Sequence, residues 1–290
     1  MKDFFLTSLL AAFAVPLACY DQEVGLMMAY LEKAVYCGQD NFNTWNVGDS
    51  RIHGPKVDTS KVRFITRNFT HAAAGVGRIQ DPEGCFVAMR GTLGTVNAVF
   101  DGLFWLTDFD RKTCSGCQVE FGFMGSYESI KREIFAALSE FGCQDQPLYL
   151  VGHSMGAAGI TYTFLDALDL GYTVKHIYAL ESPRPGNPAF SRAVQARAKG
   201  IDAVRVAHYQ DIVVHLPPSA LFFEHALPEI YYNHRTGTDY KQCGIDTNDC
   251  SGQWWTWQWT GKDHDWFADI DPCTCSWSSL NSSSNSTMLV

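Results

Sequence analysis

The sequence predicts a single α/β domain in which helices cover both faces of a mostly parallel sheet. Short, apolar, strand-like segments alternate with stretches whose apolar residues recur at helical spacing. The 290 residues include 46% hydrophobic and 18% charged residues, an ordinary composition for a folded protein. No stretch between 19 and 275 resembles a linker, so we expect one domain over 19–275.

Two helices and several strands carry this prediction. Apolar residues at helical spacing predict a helix at 23–37, before Gly38, and another at 126–141, before Gly142. Strand-like segments lie between and after these helices. They are at 62–65, 85–90, 148–152, 174–180 and 203–208.

The start of the chain predicts secretion. Lys2 precedes an apolar run at 4–18 that is too short to span a membrane, which is typical of a signal peptide over 1–18. The alternative is a buried N-terminal helix. The ten cysteines favour an oxidising compartment. We therefore expect a secreted or lumenal protein without an integral membrane segment.

The end of the chain and its charge add two expectations. Residues 276–290 are rich in Ser and Asn and poor in large apolar groups, which predicts a disordered tail. The net charge of −9 argues against nucleic acid and anionic membranes as partners. Asn68, Asn281 and Asn285 begin triplets that accept glycans on a eukaryotic secretory route.

Ser154 is the candidate nucleophile. It is the central residue of Gly-His-Ser-Met-Gly at 152–156, between apolar residues 148–151 and a helical stretch that begins at Ala157. A strand, a sharp turn and a helix form the nucleophile elbow of the α/β-hydrolase fold, where glycines allow strand and helix to approach closely. The alternative is an ordinary turn serine. The context favours a serine hydrolase of the α/β-hydrolase fold.

A serine hydroxyl needs a histidine to take its proton and an acid to orient that histidine. In this fold the chain order is serine, acid, histidine. Asp211 follows the strand at 203–208 and is the candidate acid. His264 is the candidate base, although the residues alone leave three competitors open. These are His215, His225 and His234.

The oxyanion formed by the attack needs backbone donors. The N–H after the serine belongs to Met155, and a second donor comes from the end of an earlier strand. Thr92, just beyond the strand at 85–90, is the candidate for that position. The alternative is that Arg90-Gly91-Thr92 is a plain turn.

Several further motifs occur in order along the chain: Tyr36-Cys37, the run 87–92, Gly122-Phe123 with Ser126-Tyr127, the elbow, the run 182–188, the run 211–218 and His264-Asp265-Trp266-Phe267. With these motifs the chain resembles the class 3 lipase family, which contains filamentous-fungal triacylglycerol lipases and some feruloyl esterases. The likeness runs from about residue 29 to 272.

The resemblance assigns roles to residues and cysteines. It implies Ser154 as nucleophile, Asp211 as acid, His264 as base, and Thr92 with Met155 as oxyanion donors. His215 becomes a loop histidine by the same comparison. It also implies disulfides, and it assigns no partner to Cys19, Cys85, Cys143 and whichever of Cys273 and Cys275 is left over. The implied pairs are Cys114 with Cys117, Cys243 with Cys250, and Cys37 with either Cys273 or Cys275.

Two apolar segments bear on the substrate. The family carries a surface helix after Thr92 that opens at a lipid surface, and here the segment is amphipathic. Its apolar stripe consists of Val96, Val99, Phe100 and Leu103. The alternative is a helix packed permanently on the core. Residues 253–259 contain four tryptophans, which suit an acyl chain, a lipid interface, a sugar or an aromatic ester, or simply anchor a packed loop.

Together these features predict a secreted serine ester hydrolase, most simply a triacylglycerol lipase that forms an acyl-enzyme on Ser154. The alternatives are a feruloyl-type esterase, a phospholipase A1-like enzyme and, from a different class, a non-catalytic binding protein of the same fold. The expected partners are a lipid or other ester substrate and, transiently, a lipid–water interface. The chemistry calls for no metal and no organic cofactor.

Overall fold

The centre of the protein is an eight-stranded sheet, seen in a computed structural model that describes residues 20–92, 104–271 and 273–275. The order of its strands is β1-β2-β3-β6-β7-β8-β9-β10, and β4 and β5 form a separate two-stranded ribbon. The strands are β1 Lys56–Arg67, β2 Ala72–Asp81, β3 Glu83–Arg90, β4 Leu106–Asp108, β5 Gln118–Glu120, β6 Pro147–His153, β7 Thr173–Leu180, β8 Asp202–His208, β9 Glu229–Tyr232 and β10 Tyr240–Cys243.

The middle of the sheet is parallel and its margins are antiparallel. Each neighbouring pair from β3 to β9 is parallel. The pairs β1–β2, β2–β3 and β9–β10 are antiparallel. Because parallel neighbours run in one direction, the carboxyl ends of β3, β6, β7 and β8 meet at one edge. The mostly parallel sheet predicted from the sequence is therefore present.

Helices cover both faces of this sheet. They are α1 Gln22–Val35, α2 Gly38–Asn43, α3 Asp49–His53, α4 Phe121–Glu140, α5 Met155–Asp169 and α6 Pro188–Arg197. Consecutive residues of β6 point to opposite faces: Leu150 belongs to the same buried cluster as Ile130 of α4 and Ile160 of α5, whereas Val151 belongs to the cluster that contains Leu31 of α1. The buried residues thus form one core on each side of the sheet.

Side chains that cap the first turn explain where two of the helices begin. Glu120 precedes α4, and its carboxylate accepts a hydrogen bond from Phe123 N at 2.7 Å. This cap lets α4 begin five residues before the predicted start. Asn187 caps α6 in the same way, accepting from Phe190 N, and Pro188 occupies the first turn, where no N–H is needed.

Four disulfides join the described residues. Cys37 pairs with Cys275, Cys114 with Cys117, and Cys243 with Cys250. The fourth pair, Cys85 with Cys143, had no partner assigned from the sequence. Cys85 lies in β3, and Cys143 lies between α4 and the neighbouring strand β6, so adjacent strands bring them together. Cys273 has no disulfide partner among the described residues.

Several expectations fall outside the described residues. The predicted signal peptide at 1–18, Cys19 and the tail at 276–290 lie there. So do the four residues predicted for a lid, Val96, Val99, Phe100 and Leu103. No helix in the part of the chain that the structure describes has the length and apolar character needed to cross a membrane.

Candidate active site

Ser154 stands at the tight turn between β6 and α5. Its backbone lies at φ 57° and ψ −127°, a conformation rare for a residue with a side chain. The turn brings backbones into contact, since a Cβ added to Gly156 would lie 2.1 Å from Met89 O, and one added to Gly152 would lie 2.4 Å from Gly156 O. Both positions therefore require glycine, and the strained turn holds the serine at the edge where the parallel strands end.

Asp211 and His264 form a hydrogen-bonded pair at the same edge. Asp211 follows β8, and His264 follows a short 3-10 helix, Gly261–Asp263. His264 Nδ1–H donates to Asp211 Oδ2 at 3.0 Å, and both side chains are buried. Asp211 Oδ1 accepts from Val213 N at 2.8 Å, which fixes the carboxylate. The acid therefore holds His264 with its other ring nitrogen, Nε2, free to act as a base.

The two atoms predicted to react are buried and have no hydrogen-bond partner among the described residues. They are Ser154 Oγ and His264 Nε2, so these two atoms are not bonded to each other. Buried polar atoms are rarely left unpaired, and such atoms concentrate at functional sites. In ligand-free hydrolases the bond between nucleophile and base is often loose and tightens when substrate is bound.

Thr92 and Met155 lie side by side next to the serine. Thr92 Oγ1 lies 3.4 Å from Met155 Sδ. A Cβ added to Gly91 would lie 2.8 Å from Ser154 Cβ, so the end of β3 packs directly against the elbow. Gly91 N donates to Tyr36 OH at 3.1 Å, which anchors this turn to the end of α1. The two residues proposed as oxyanion donors thus lie together at Ser154, Thr92 just after β3 and Met155 at the start of α5.

His153 and Glu181, which carried no sequence prediction, lie behind the pair. Tyr36 OH lies 2.8 Å from His153 Nδ1 and donates to it, because the carbonyl oxygen at the other ring nitrogen of His153 can only accept. The proton of His153 is then on Nε2, which faces His264 O at 2.9 Å and Glu181 Oε2 at 2.8 Å. Burial, with the nearby His264, lowers the pKa of His153 to about 3. His153 is therefore a neutral donor that holds the backbone of His264.

The competing histidines are accounted for by other contacts. His215 stacks on Trp259 with ring centroids 4.0 Å apart, and burial lowers its pKa to about 3. His225 Nε2–H donates to Val214 O at 2.8 Å. His234 is exposed between β9 and β10. Only His264, of these four, is hydrogen-bonded to Asp211 in the described structure.

The four tryptophans of 253–259 divide into two pairs. Trp254 Nε1 donates to Tyr231 OH at 2.6 Å, and Trp259 packs on His215, so these two anchor the loop. Trp255 and Trp257 are 65% and 76% exposed and stack in parallel at 5.2 Å. The loop is therefore both anchored and capable of contact with another molecule.

Comparisons with known proteins agree with this geometry. The family model described as Lipase (class 3) matches residues 86–221, which include Ser154 and Asp211. Over these residues the chain is similar to the class 3 lipase family. It is 30% identical over 198 residues to the "Secreted mono- and diacylglycerol lipase A" of Penicillium cyclopium, covering 65% of this chain and 63% of that protein. It is 31% identical over 188 residues to the "Lipase" of Rhizomucor miehei, covering 61% of this chain and 50% of the relative.

A solved structure agrees on the fold. Lipase II of Rhizopus niveus superposes with a TM-score of 0.77 at 24% identity, covering 90% of this chain and 99% of that structure. The alignments to the curated relatives span less than two thirds of those proteins' lengths. The likeness to the solved structure therefore shows the fold, and the family model covers the stretch from β3 to the loop after Asp211.

Proposed function

We propose that this chain is a secreted carboxylic ester hydrolase of the class 3 lipase family that acts on acylglycerols through an acyl-enzyme on Ser154. The observation that carries the proposal is the hydrogen bond between Asp211 and His264 beside a buried serine on a strained elbow. The relatives named as secreted mono- and diacylglycerol lipases support the substrate class.

The proposed reaction uses groups already at the site. His264 Nε2 takes the proton of Ser154 as Oγ bonds to the ester carbon, and Asp211 stabilises the imidazolium that results. The negative charge on the carbonyl oxygen is bound by the N–H groups of Met155 and Thr92. His264 then gives the proton to the departing alcohol. A water molecule, deprotonated by the same histidine, releases the fatty acid from the acyl-enzyme.

Exposed apolar side chains support a transient contact with a lipid–water interface. Trp255 and Trp257 stand just before Thr260, whose N–H donates to Gln210 O at 2.8 Å beside the proposed acid. Phe222 is 75% exposed after the neighbouring 3-10 helix Ser219–Leu221. Isolated exposed apolar residues are normal, but indole rings near an active site suit a surface that is apolar on one side and wet on the other.

The disulfides support a secreted protein. The four in the described residues would be unusual in a reducing compartment. Relatives named as secreted lipases point the same way. Expression of the full chain in a eukaryotic host tests secretion, and the protein should then be found in the culture medium.

The test is an ester panel assayed beside Ser154→Ala. The substrates are emulsified triacylglycerol, diacylglycerol and monoacylglycerol, phosphatidylcholine, methyl ferulate and a soluble short-chain ester. We expect turnover of acylglycerols that falls by about 10⁶-fold in the variant. Absence of Ser154-dependent turnover on every substrate would refute the enzyme and favour a binding protein. Preference for methyl ferulate or phosphatidylcholine would keep the chemistry and replace the substrate.

A further inference from the structure

Glu181 lies at the same edge of the sheet as the proposed nucleophile and acid. It directly follows β7, which is flanked by β6 and β8. Three consecutive parallel strands therefore end in Ser154, Glu181 and, after a short turn, Asp211. The position of Glu181 is fixed by its neighbours, because Glu181 N donates to Val206 O at 2.7 Å and Ser154 N donates to Leu180 O at 3.0 Å.

The backbone of Glu181 is in an unfavourable conformation for its side chain. Its φ is +51°, in the left-handed region that favours glycine, yet its side chain is only 1% exposed. Residues held in such conformations persist when the surrounding structure determines them, and they concentrate at active sites. A buried carboxyl group at a strained position calls for an explanation.

The carboxyl group of Glu181 faces the proposed catalytic base. Its Oε2 lies 3.8 Å from His264 Nδ1 and 2.8 Å from His153 Nε2. Asp211 Oδ2 lies 3.0 Å from the same His264 nitrogen. Glu181 Oε1 has no hydrogen-bond partner among the described residues. The Nδ1–H of His264 thus lies between two carboxyl groups, one bonded to it and one within reach of a small shift.

The charges around Glu181 decide which carboxyl group is ionised. Burial raises the pKa of Glu181 well above its usual range, Asp211 and Asp265 add to the rise, and a hydrogen bond from the backbone of Trp266 opposes it without outweighing it. His153 is neutral, as argued above, and supplies no compensating cation. The remaining titratable neighbours of this region, Tyr36 and Cys273, also have pKa values raised by burial. Glu181 is therefore the carboxyl group beside His264 that burial and like charges favour in the protonated form.

We propose that Glu181 is a reserve acid, a positioning residue that accepts the Nδ1–H of His264 and carries the negative charge when Asp211 does not. This inference rests on the proposed function of His264 as the base. Removing the charge of Asp211 removes a like charge beside Glu181, which then ionises more readily. The two carboxyl groups behave as one coupled pair around a single imidazole.

The first test is a double-mutant cycle on the soluble short-chain ester. Glu181→Gln keeps an acceptor for His153, and its loss of kcat/KM at neutral pH should be at least about 10-fold smaller than that of Asp211→Asn, since it removes no charge there. Asp211→Asn should lose about 10²–10³-fold, less than the roughly 10⁴-fold seen when a triad acid has no substitute. Asp211→Asn with Glu181→Gln should lose at least about 10-fold more. A double variant no worse than Asp211→Asn would overturn the proposal.

The matched control is another buried carboxyl group. Glu32 is fully buried, with both side-chain oxygens unpaired among the described residues and a raised pKa caused chiefly by burial. Asp211→Asn with Glu32→Gln should retain the activity of Asp211→Asn. The pH profile adds a second readout: the residual activity of Asp211→Asn should rise with pH as Glu181 ionises. That rise should disappear with Glu181→Gln and persist with Glu32→Gln.

A spectroscopic readout separates failure of the proposal from failure of the proposed function. If wild-type turnover does not exceed that of Ser154→Ala, the function fails, and the reserve acid is judged by proton NMR of histidine-labelled protein. The far-downfield resonance of the His264 Nδ1–H should persist in Asp211→Asn above the pH at which Glu181 ionises, and vanish in the double variant. Loss of the resonance from Asp211→Asn alone would contradict the proposal.

The stability of Glu181→Gln provides a test that leaves Asp211 intact. A carboxyl group whose pKa is raised by folding stays protonated in the folded protein at pH values at which it is ionised in the unfolded chain. Stability therefore falls as pH rises from the usual carboxyl pKa toward the folded value. Glu181→Gln should remove this slope from the unfolding free energy measured between pH 4 and pH 8. An unchanged slope would show that Glu181 is ionised beside Asp211 and would overturn the proposal.

Discussion

The proposed nucleophile and acid are held in a different way from the proposed base. Ser154 and Asp211 follow β6 and β8, whose backbones are fixed by parallel ladders in the middle of the sheet. His264 lies in the segment 244–275, where the only regular elements among the described residues are three 3-10 helices of three residues each. The site thus joins a rigid sheet to a segment that contains no strand among the described residues and pairs with the loop after β8 by one isolated β-bridge, between Asp211 and Thr260.

Side chains and cross-links replace the ladder in that segment. Arg235 binds the buried Asp263 through two bonds of 2.7 and 3.0 Å, and His208 Nδ1–H donates to Asp263 O at 3.0 Å. His153 Nε2–H faces the carbonyl of the next residue, His264. Cys275 ties the end of the segment to Cys37. A precise base can therefore be positioned by loops if each backbone group has a specific partner.

The largest expected effect comes from breaking the cross-link of the loop segment. In Cys37→Ala with Cys275→Ala, the bridge lost spans 238 residues, so the unfolded chain gains much entropy and the unfolding free energy should fall by about 5 kcal/mol. Cys243→Ala with Cys250→Ala opens a separation of 7 residues and should cost about 2 kcal/mol. Urea unfolding under non-reducing conditions measures both. A larger loss from the short bridge would contradict the entropic account.

The next prediction tests the rigidity of the turn between β6 and α5 that holds Ser154. Gly156→Ala forces a Cβ to 2.1 Å from Met89 O, a backbone atom that cannot turn aside, and should cost about 3 kcal/mol of unfolding free energy. Ester hydrolysis should also fall by about 10²-fold, because the elbow must shift. Gly125→Ala is the control, since it lies exposed inside α4 with nothing within 4 Å of an added Cβ, and should stabilise the protein by about 0.5–1 kcal/mol. A fully active and stable Gly156→Ala would show that the elbow can yield.

The same contrast explains what the sequence could predict. The strands that precede Ser154 and Asp211 are apolar runs close to clear helical patterns. The observed β6 and β8 contain the two predicted segments. β2, Ala72–Asp81, gave no such signal, because its residues are small rather than alternating. The ring of Phe42 lies on that strand, and a Cβ at Gly75 would be 2.3 Å from it. Long-range packing, invisible in a local pattern, selects those small residues.

The loop side shows where local patterns fail. Position after a strand pointed to Asp211, but nothing local distinguished His264 from three other histidines, and only the family resemblance did so. His153, Tyr36 and Glu181 were not assigned roles, since their contacts cross 28 to 117 residues of chain. The one local signal was the placement of Glu181 at the end of a strand next to that of the serine. Applied to every strand end, the rule that found Asp211 would have found Glu181.

Removing the ion pair beneath the base tests whether loop contacts set its position. Arg235→Met leaves the buried Asp263 without its guanidinium, so the backbone that precedes His264 should shift and kcat/KM should fall by about 10-fold. Lys241→Met is the control, because Lys241 makes an exposed ion pair with Asp249 in the same half of the chain. Steady-state hydrolysis of a soluble ester measures both. Equal activity of the two variants would mean that Asp263 needs no partner.

A smaller effect concerns stability at acidic pH and Asp166 of α5, the helix that follows the serine. Burial alone would raise the pKa of Asp166, but hydrogen bonds from Arg111, Lys131 and Tyr127 outweigh it and hold the pKa below its usual range. A carboxyl group of this kind stabilises the fold above its unfolded pKa of about 4, and that contribution is lost as pH falls toward the folded value. Asp166→Asn should therefore weaken the loss of thermal stability between pH 6 and pH 3. An unaltered pH dependence would assign acid unfolding to other groups.

The smallest expected effect on stability, and the sharpest on substrate, lies at the exposed tip of the loop segment. Trp255→Ser with Trp257→Ser removes only side chains that are 65% and 76% exposed, so the unfolding free energy should change by less than about 0.5 kcal/mol. Hydrolysis of emulsified acylglycerol should fall several-fold, because less apolar surface enters the interface, while the rate on a soluble ester stays unchanged. Leu170→Ser is the control, an exposed apolar residue at the far end of α5 from the serine. If both rates fell together, the tryptophans would shape the ester site itself, and the loop would belong to substrate binding rather than to the interface.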